Sequence, residues 1–214
     1  MKHQPSQALT AARNEVKLHR LLHHDPICRT LKFDISLPTS FILQYPSSAL
    51  PSAMVVRRQP FPPCYTIPPQ PRPILNHDLS QLATTPPVTC MRIITDLIPW
   101  SIIIRGRTTM ANDPNSFVRV HDVLDGIYKS LREGVSNDEW NRVPKSFRDR
   151  VKKAYSRRCQ ASLPFTLKGY EEKQGVRRVD YLREKTMFLG LALKIPDKRD
   201  EEITWIMMLA PHSS

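Results

Sequence analysis

Apolar positions along this chain fall into patches with different periods, and almost all of them lie after residue 90. Leu31-Lys32-Phe33-Asp34-Ile35-Ser36 alternates apolar and polar residues, which predicts a half-buried strand stopped by Pro38. Met91-Arg92-Ile93-Ile94 and the β-branched run Trp100-Ser101-Ile102-Ile103-Ile104 predict two more strands, the second closed by Arg105-Gly106. Val120, Val123, Leu124, Ile127, Tyr128 and Leu131 fall on one stripe of a 3.6-residue period and predict an amphipathic helix. Gly134, just past that stripe, suits a left-handed helix end. Ser136-Asn137-Asp138-Glu139 predicts a capped helix start, and Pro144 opens a second helical piece over about 144–159. Two apolar runs, 186–193 and 203–209, flank a charged loop and read as a β-hairpin. Both are apolar on both faces, which predicts central strands covered by helices.

Ahead of residue 90 the pattern breaks down. Fourteen of the twenty prolines precede residue 88, and proline removes a backbone donor and fixes φ. Residues 1–30 read as an N-terminal arm, with a helix drawable over 7–24. Residues 31–210 read as one domain, interrupted by a Pro-rich loop or disordered insertion over 45–88. The expected fold is α+β: a small, mostly antiparallel sheet packed by two or three helices.

Charge narrows the partners. The net charge is +12 over 214 residues, so an anionic partner or surface is physically reasonable. Residues 142–158 concentrate it. Arg142, Lys145, Arg148, Lys152, Lys153 and Arg157 are the candidates for binding nucleic acid or another polyanion, against a bland reading as a solvated helix face. No base-stacking aromatic residues interleave with them, which favours the bland reading. Arg158 differs, because it shares the narrow apolar face of Phe147, Val151 and Ala154. It needs a partner there, and Asp180 is the expected one, with Asp122 and Asp125 as alternatives.

Catalytic chemistry is thin. There is no G-x-S-x-G elbow, no phosphate loop among only six glycines, and no C-x-x-C among the cysteines at 28, 64, 90 and 159. No catalytic, metal or cofactor site is expected. His19, His23 and His24 form the only histidine cluster, without a third ligand at a telling spacing. An enzyme built on Asp180, Arg178 and His121 is the weakest of three function classes. In the Pro-rich segment, Arg57, Pro60 and Pro63 match R-x-x-P-x-x-P, a pattern that docks as a polyproline II ridge, although it is common by chance. Thr108, in Arg105-Gly106-Arg107-Thr108, has the setting of a basophilic phosphorylation site. The start of the chain has no apolar signal segment and no run approaches membrane-spanning length, so the expected setting is intracellular, cytoplasmic or nuclear.

Four ordered motifs carry a resemblance. They are Pro99-Trp100-Ser101-Ile102, the helix from Val120 to Tyr128, Val176-Arg177-Arg178-Val179-Asp180-Tyr181-Leu182, and Phe188-Leu189-Gly190-Leu191. In order and spacing they resemble an uncharacterised fungal family of mushroom-forming species, domain of unknown function sixty-six ninety-nine. The strand Leu31–Ile35 looks like that family's first strand, and Arg119 departs from its helix-capping threonine or serine. The resemblance implies the α+β fold and a fungal origin, and it implies no activity or site. The leading functional expectation is a non-enzymatic protein-interaction or scaffold module with an unknown protein partner. Nucleic-acid or polyanion binding is the alternative.

Overall fold

The computed structural model describes residues 16–45, 70–107, 116–161, 165–195 and 203–212. Its strands are β1 (Lys17–Leu18), β2 (Leu31–Lys32), β3 (Leu43–Gln44), β4 (Arg72–Pro73), β5 (Thr84–Thr85), β6 (Cys90–Ile94), β7 (Ile102–Arg105), β8 (Met187–Leu193) and β9 (Thr204–Ala210). Its α-helices are α1 (Asn76–Ser80), α2 (Val120–Leu131), α3 (Asn137–Arg142), α4 (Lys145–Ala161) and α5 (Phe165–Lys173). A 3-10 turn over Arg178–Leu182 precedes β8. The architecture is α+β, with three small and mostly antiparallel sheets.

The principal sheet has the order β7-β6-β9-β8. The predicted hairpin is present: β8 and β9 pair antiparallel, with a bulge between Phe188 and Gly190. β9 then lies parallel to β6, Ile93 opposite Trp205. The expectation that both terminal strands are central holds for β9 alone. β8 ends the strand order, and its outer edge is covered by earlier chain. The Leu191 amide donates to the Leu22 carbonyl at 2.6 Å, and the Phe188 amide donates to the Phe33 carbonyl at 2.8 Å. Covering that edge removes an unpaired backbone row and explains why β8 is apolar on both sides.

These bonds correct the reading of the first thirty residues. Residues 16–24 are not helical; they form β1 and a turn, and Leu21 and Leu22 are buried in the core. Leucines separated from polar neighbours by tight turns need no helical period to be buried. The predicted strand at 31–36 keeps its alternation, with Leu31, Phe33 and Ile35 buried, although only two of its residues pair as β2. The irregular segment expected over 45–88 is shorter at its distal end. Residues 70–88 carry β4, α1 and β5 and place Ala83 and Thr84 in the interior. Residues 46–69 lie outside the described residues, as do residues 1–15.

Helix α2 forms as its stripe predicts, burying Val120, Val123, Leu124, Ile127 and Leu131 against β7. Arg119 offers no acceptor oxygen as a cap, so Asp122 caps in reverse, accepting the Arg119 amide at 3.0 Å. Gly134 does not take the left-handed conformation expected of it; the positive-φ glycines among the described residues are Gly175 and Gly190. Instead Gly134 bridges Arg177, which ties the end of α2 to the strand-like approach to the 3-10 turn.

Candidate functional site

Helix α4 organises both halves of the candidate surface. Val151, Ala154 and Arg158 stand at i, i+3 and i+7, so they share one face. Val151 and Ala154 are buried, and the Arg158 side chain is only 11% exposed. Its Nε donates to Asp180 Oδ1 at 2.8 Å and its Nη2 to Asp180 Oδ2 at 2.9 Å, a bidentate fork. Nη2 also donates to the Gly175 carbonyl at 3.0 Å, and Nη1 to Glu171. Glu171 in turn holds Arg177 at 3.1 Å and Arg132 at 2.9 Å. Asp122 and Asp125, the alternative partners for Arg158, meet Arg107 instead.

Burial pulls the Arg158 pKa down, but the hydrogen bonds and charge of Asp180, with Glu171 behind it, outweigh this and leave it raised. Arg177 goes the other way: burial dominates, and the neighbouring Arg132 charge adds to it. Three guanidinium groups on two buried carboxylates tie α2, α4, α5 and the 3-10 turn together. Every oxygen of Asp180 is engaged, since Oδ2 also accepts the Arg177 amide at 2.9 Å. This carboxylate is arranged to hold geometry rather than to exchange a proton with a substrate.

The other residues of the enzyme reading do not converge on it. The Arg178 guanidinium turns to Glu133 at 2.5 Å and lies 5.0 Å over the Trp100 ring. His121 sits 3.4 Å from Asp122, at the far end of α2. Cys159 is buried, and burial together with this thiol pushes the Tyr155 hydroxyl up. His19 bonds Gln81 at 2.7 Å, and His24 bonds the Leu189 carbonyl at 3.2 Å. Among the described residues no group of three or more His, Cys, Asp or Glu is placed to hold a metal ion.

A groove of about 670 Å³ opens between the 96–100 loop and the α3–α4 junction. Leu97, Trp100, Phe147 and Tyr181 supply its apolar wall, with Glu139 and Arg142 at its polar edge. Tyr181 is the aromatic hub: Trp100 meets it edge-on with centroids 4.9 Å apart, and Phe147 lies 5.7 Å away. The capping box of α3 orients Trp100. Glu139 accepts the Ser136 amide at 2.8 Å through one oxygen and the Trp100 indole N–H at 2.5 Å through the other. The Ser136 amide, followed by the Ser136 and Trp100 side-chain donors, holds the Glu139 carboxyl below its ordinary value. The Tyr181 hydroxyl is buried and has no hydrogen-bond partner, and burial raises its pKa.

The six cations expected to face a polyanion separate in the folded chain. Lys145, Lys152, Lys153 and Arg157 stay in solvent, although Arg157 pairs with Glu184 at 3.0 Å. Arg142 edges the aromatic groove. Arg148 is spent on the chain itself, donating to the carbonyls of Val143 and Asn141 at 2.7 and 2.6 Å. Arg57, Pro60, Pro63 and Thr108 lie outside the described residues. The aromatic groove escaped the sequence reading because its members come from four segments. Pro99-Trp100 was one available signal: tryptophan beside proline reads poorly as strand interior and better as an exposed aromatic ledge.

Among the described residues no helix is long and apolar enough to cross a membrane. No curated protein matches the chain, and no solved structure does. The family model described as a family of unknown function (DUF6699) matches residues 31–202, a span that includes β2, the groove, the buried ion network and β8. The chain belongs to that family.

Proposed function

We propose that this chain is a non-enzymatic protein-interaction module that binds an extended, proline-containing segment of a partner protein in the groove beside Trp100. The observation that carries this reading is the Trp100–Tyr181–Phe147 row in the wall of an open groove. Polyproline II segments dock on aromatic-lined grooves because their ring faces are flat and their conformation costs little entropy to fix. Glu139, held ionised, and Asp96 on the same rim favour a basic residue flanking the prolines. The groove volume lies in the range that encloses a few side chains.

The test is a fluorescence or NMR titration with a synthetic peptide carrying an arginine followed by a P-x-x-P run. Trp100→Ala trims the half-buried ring of the groove wall, so it should weaken the peptide about fivefold or more in a protein whose fold is checked by circular dichroism. Equal affinity for both proteins, or no saturable binding by the wild type, refutes the reading.

A second reading, polyanion or nucleic-acid binding along α4, draws support from the solvent exposure of Lys145, Lys152 and Lys153. It requires heparin retention that falls steeply with salt. The resembling motifs support a fungal source. The exposed thiols of Cys28 and Cys90 fit a reducing compartment inside the cell.

A further inference from the structure

A second recess, of about 310 Å³, lies on the same helix and shares no lining residue with the aromatic groove. Arg150, Lys153 and Arg157 stand at i, i+3 and i+7 of α4, one residue ahead of the buried Val151–Ala154–Arg158 stripe. They therefore form a basic edge beside the packed face. Arg183 and Lys185, from the turn into β8, close the recess from the other side. Five cations thus face a small volume containing one carboxylate, Glu184, which is already paired to Arg157.

Arg183 is held there at a cost. It takes φ 60° and ψ −103° at the end of the 3-10 turn, a conformation that L side chains avoid. Its guanidinium lies 5.3 Å over the Phe147 ring, and its Nε is buried without a hydrogen-bond acceptor. Arg150, Lys153, Arg183 and Lys185 make no ion pair with any described residue. Like charges gathered on a rigid helix and a strained turn repel one another, and a bound anion relieves that repulsion.

We propose that this recess binds a phosphate monoester, carried on a phosphorylated side chain of a partner protein. A monoester brings close to two negative charges and three acceptor oxygens to one point, which suits cations gathered around one open recess. A nucleic-acid backbone spreads single charges along a track and gains from base stacking. Among the described residues no aromatic side chain lines this recess.

The test uses the full chain at about 0.15 M salt, titrated calorimetrically with a phosphoserine peptide, its unphosphorylated twin, inorganic phosphate and a single-stranded oligonucleotide. The phosphopeptide should bind saturably and about tenfold or more tighter than its twin, and inorganic phosphate should displace it. Lys153→Glu with Lys185→Glu, both exposed positions, should weaken it about tenfold. The melting temperature and proline-peptide binding should be unchanged in that variant. Arg183→Gln should weaken the phosphopeptide as well. Equal binding of the twin, full affinity in the double variant, failure of phosphate to compete, or tighter binding of the oligonucleotide each overturns the proposal. Loss of the proline-peptide interaction alone leaves it intact.

Discussion

Arg158 and Asp180, twenty-two residues apart, meet through two parallel hydrogen bonds of 2.8 and 2.9 Å between side chains that are 11% and 2% exposed. A fork of this kind fixes the angle of α4 against the 3-10 turn. It sets where Phe147 and Tyr181 meet, because those two residues ride on the same pair of elements. The clamp and the aromatic groove are therefore one construction: the ion pair supplies the geometry, and the rings supply the surface.

Removing half of the clamp leaves an uncompensated buried charge. Asp180→Asn should lower the unfolding free energy by about 3 kcal/mol or more, measured by urea denaturation. Arg158→Lys should also destabilise the fold, because an ammonium cannot reproduce the planar fork that engages both oxygens. A change below about 1 kcal/mol in Asp180→Asn would show that the pair is solvated and that the groove is held by packing alone.

Glu139 gives the protein an acid-sensitive element. Its carboxyl is held low, first by the Ser136 amide and then by the Ser136 and Trp100 side-chain donors. The folded chain thus binds this proton less readily than the unfolded chain. The stabilisation is present above the ordinary carboxylate range and is lost as pH falls through the depressed folded value. Urea midpoints measured from about pH 6 down to about pH 3 should drop more steeply for wild type than for Glu139→Gln. Trp100, whose indole bonds this carboxylate, should change its fluorescence over the same interval. Parallel curves for the two proteins would contradict the assignment.

Gly190 marks where the early chain crosses β8. Its φ is 123°, and a Cβ built there would lie 2.6 Å from the backbone of His24. Gly190→Ala must therefore strain φ and push residues 23–24 away, with an expected loss of about 3 kcal/mol or more. Leu22→Ala, at a fully buried position on the same segment, should cost about 2–5 kcal/mol. Were residues 16–24 a loosely attached arm, Leu22→Ala would be nearly silent in thermal denaturation.

Much of the local structure was legible from neighbouring residues alone. The stripe from Val120 to Leu131, the Ser136–Glu139 box and the alternation at 31–35 each formed, because their signals lie within one or two turns of chain and bury in a single direction. The position of Arg158 on an apolar face announced that it needed a carboxylate. Proline density misled over 70–88, where a strand edge and a short helix tolerate what a sheet interior would not. The histidine-bearing segment at 16–24 misled too, since spacing that permits a helix does not exclude a turn.

The amino-acid sequence by itself determined the α+β class, the terminal hairpin, the striped helix and the presence of a buried cation on α4. These are set by periodicity and by the free energy of hiding apolar surface or leaving a charge unpaired. Tertiary structure alone decided that Asp180 rather than Asp122 or Asp125 answers Arg158. It likewise decided that β9 runs parallel to β6, that Leu21 and Leu22 enter the core, and that Trp100, Phe147 and Tyr181 share a groove. Those outcomes join residues tens to more than a hundred positions apart. Competing closures there differ by register and by what each leaves unsatisfied, which no local pattern records.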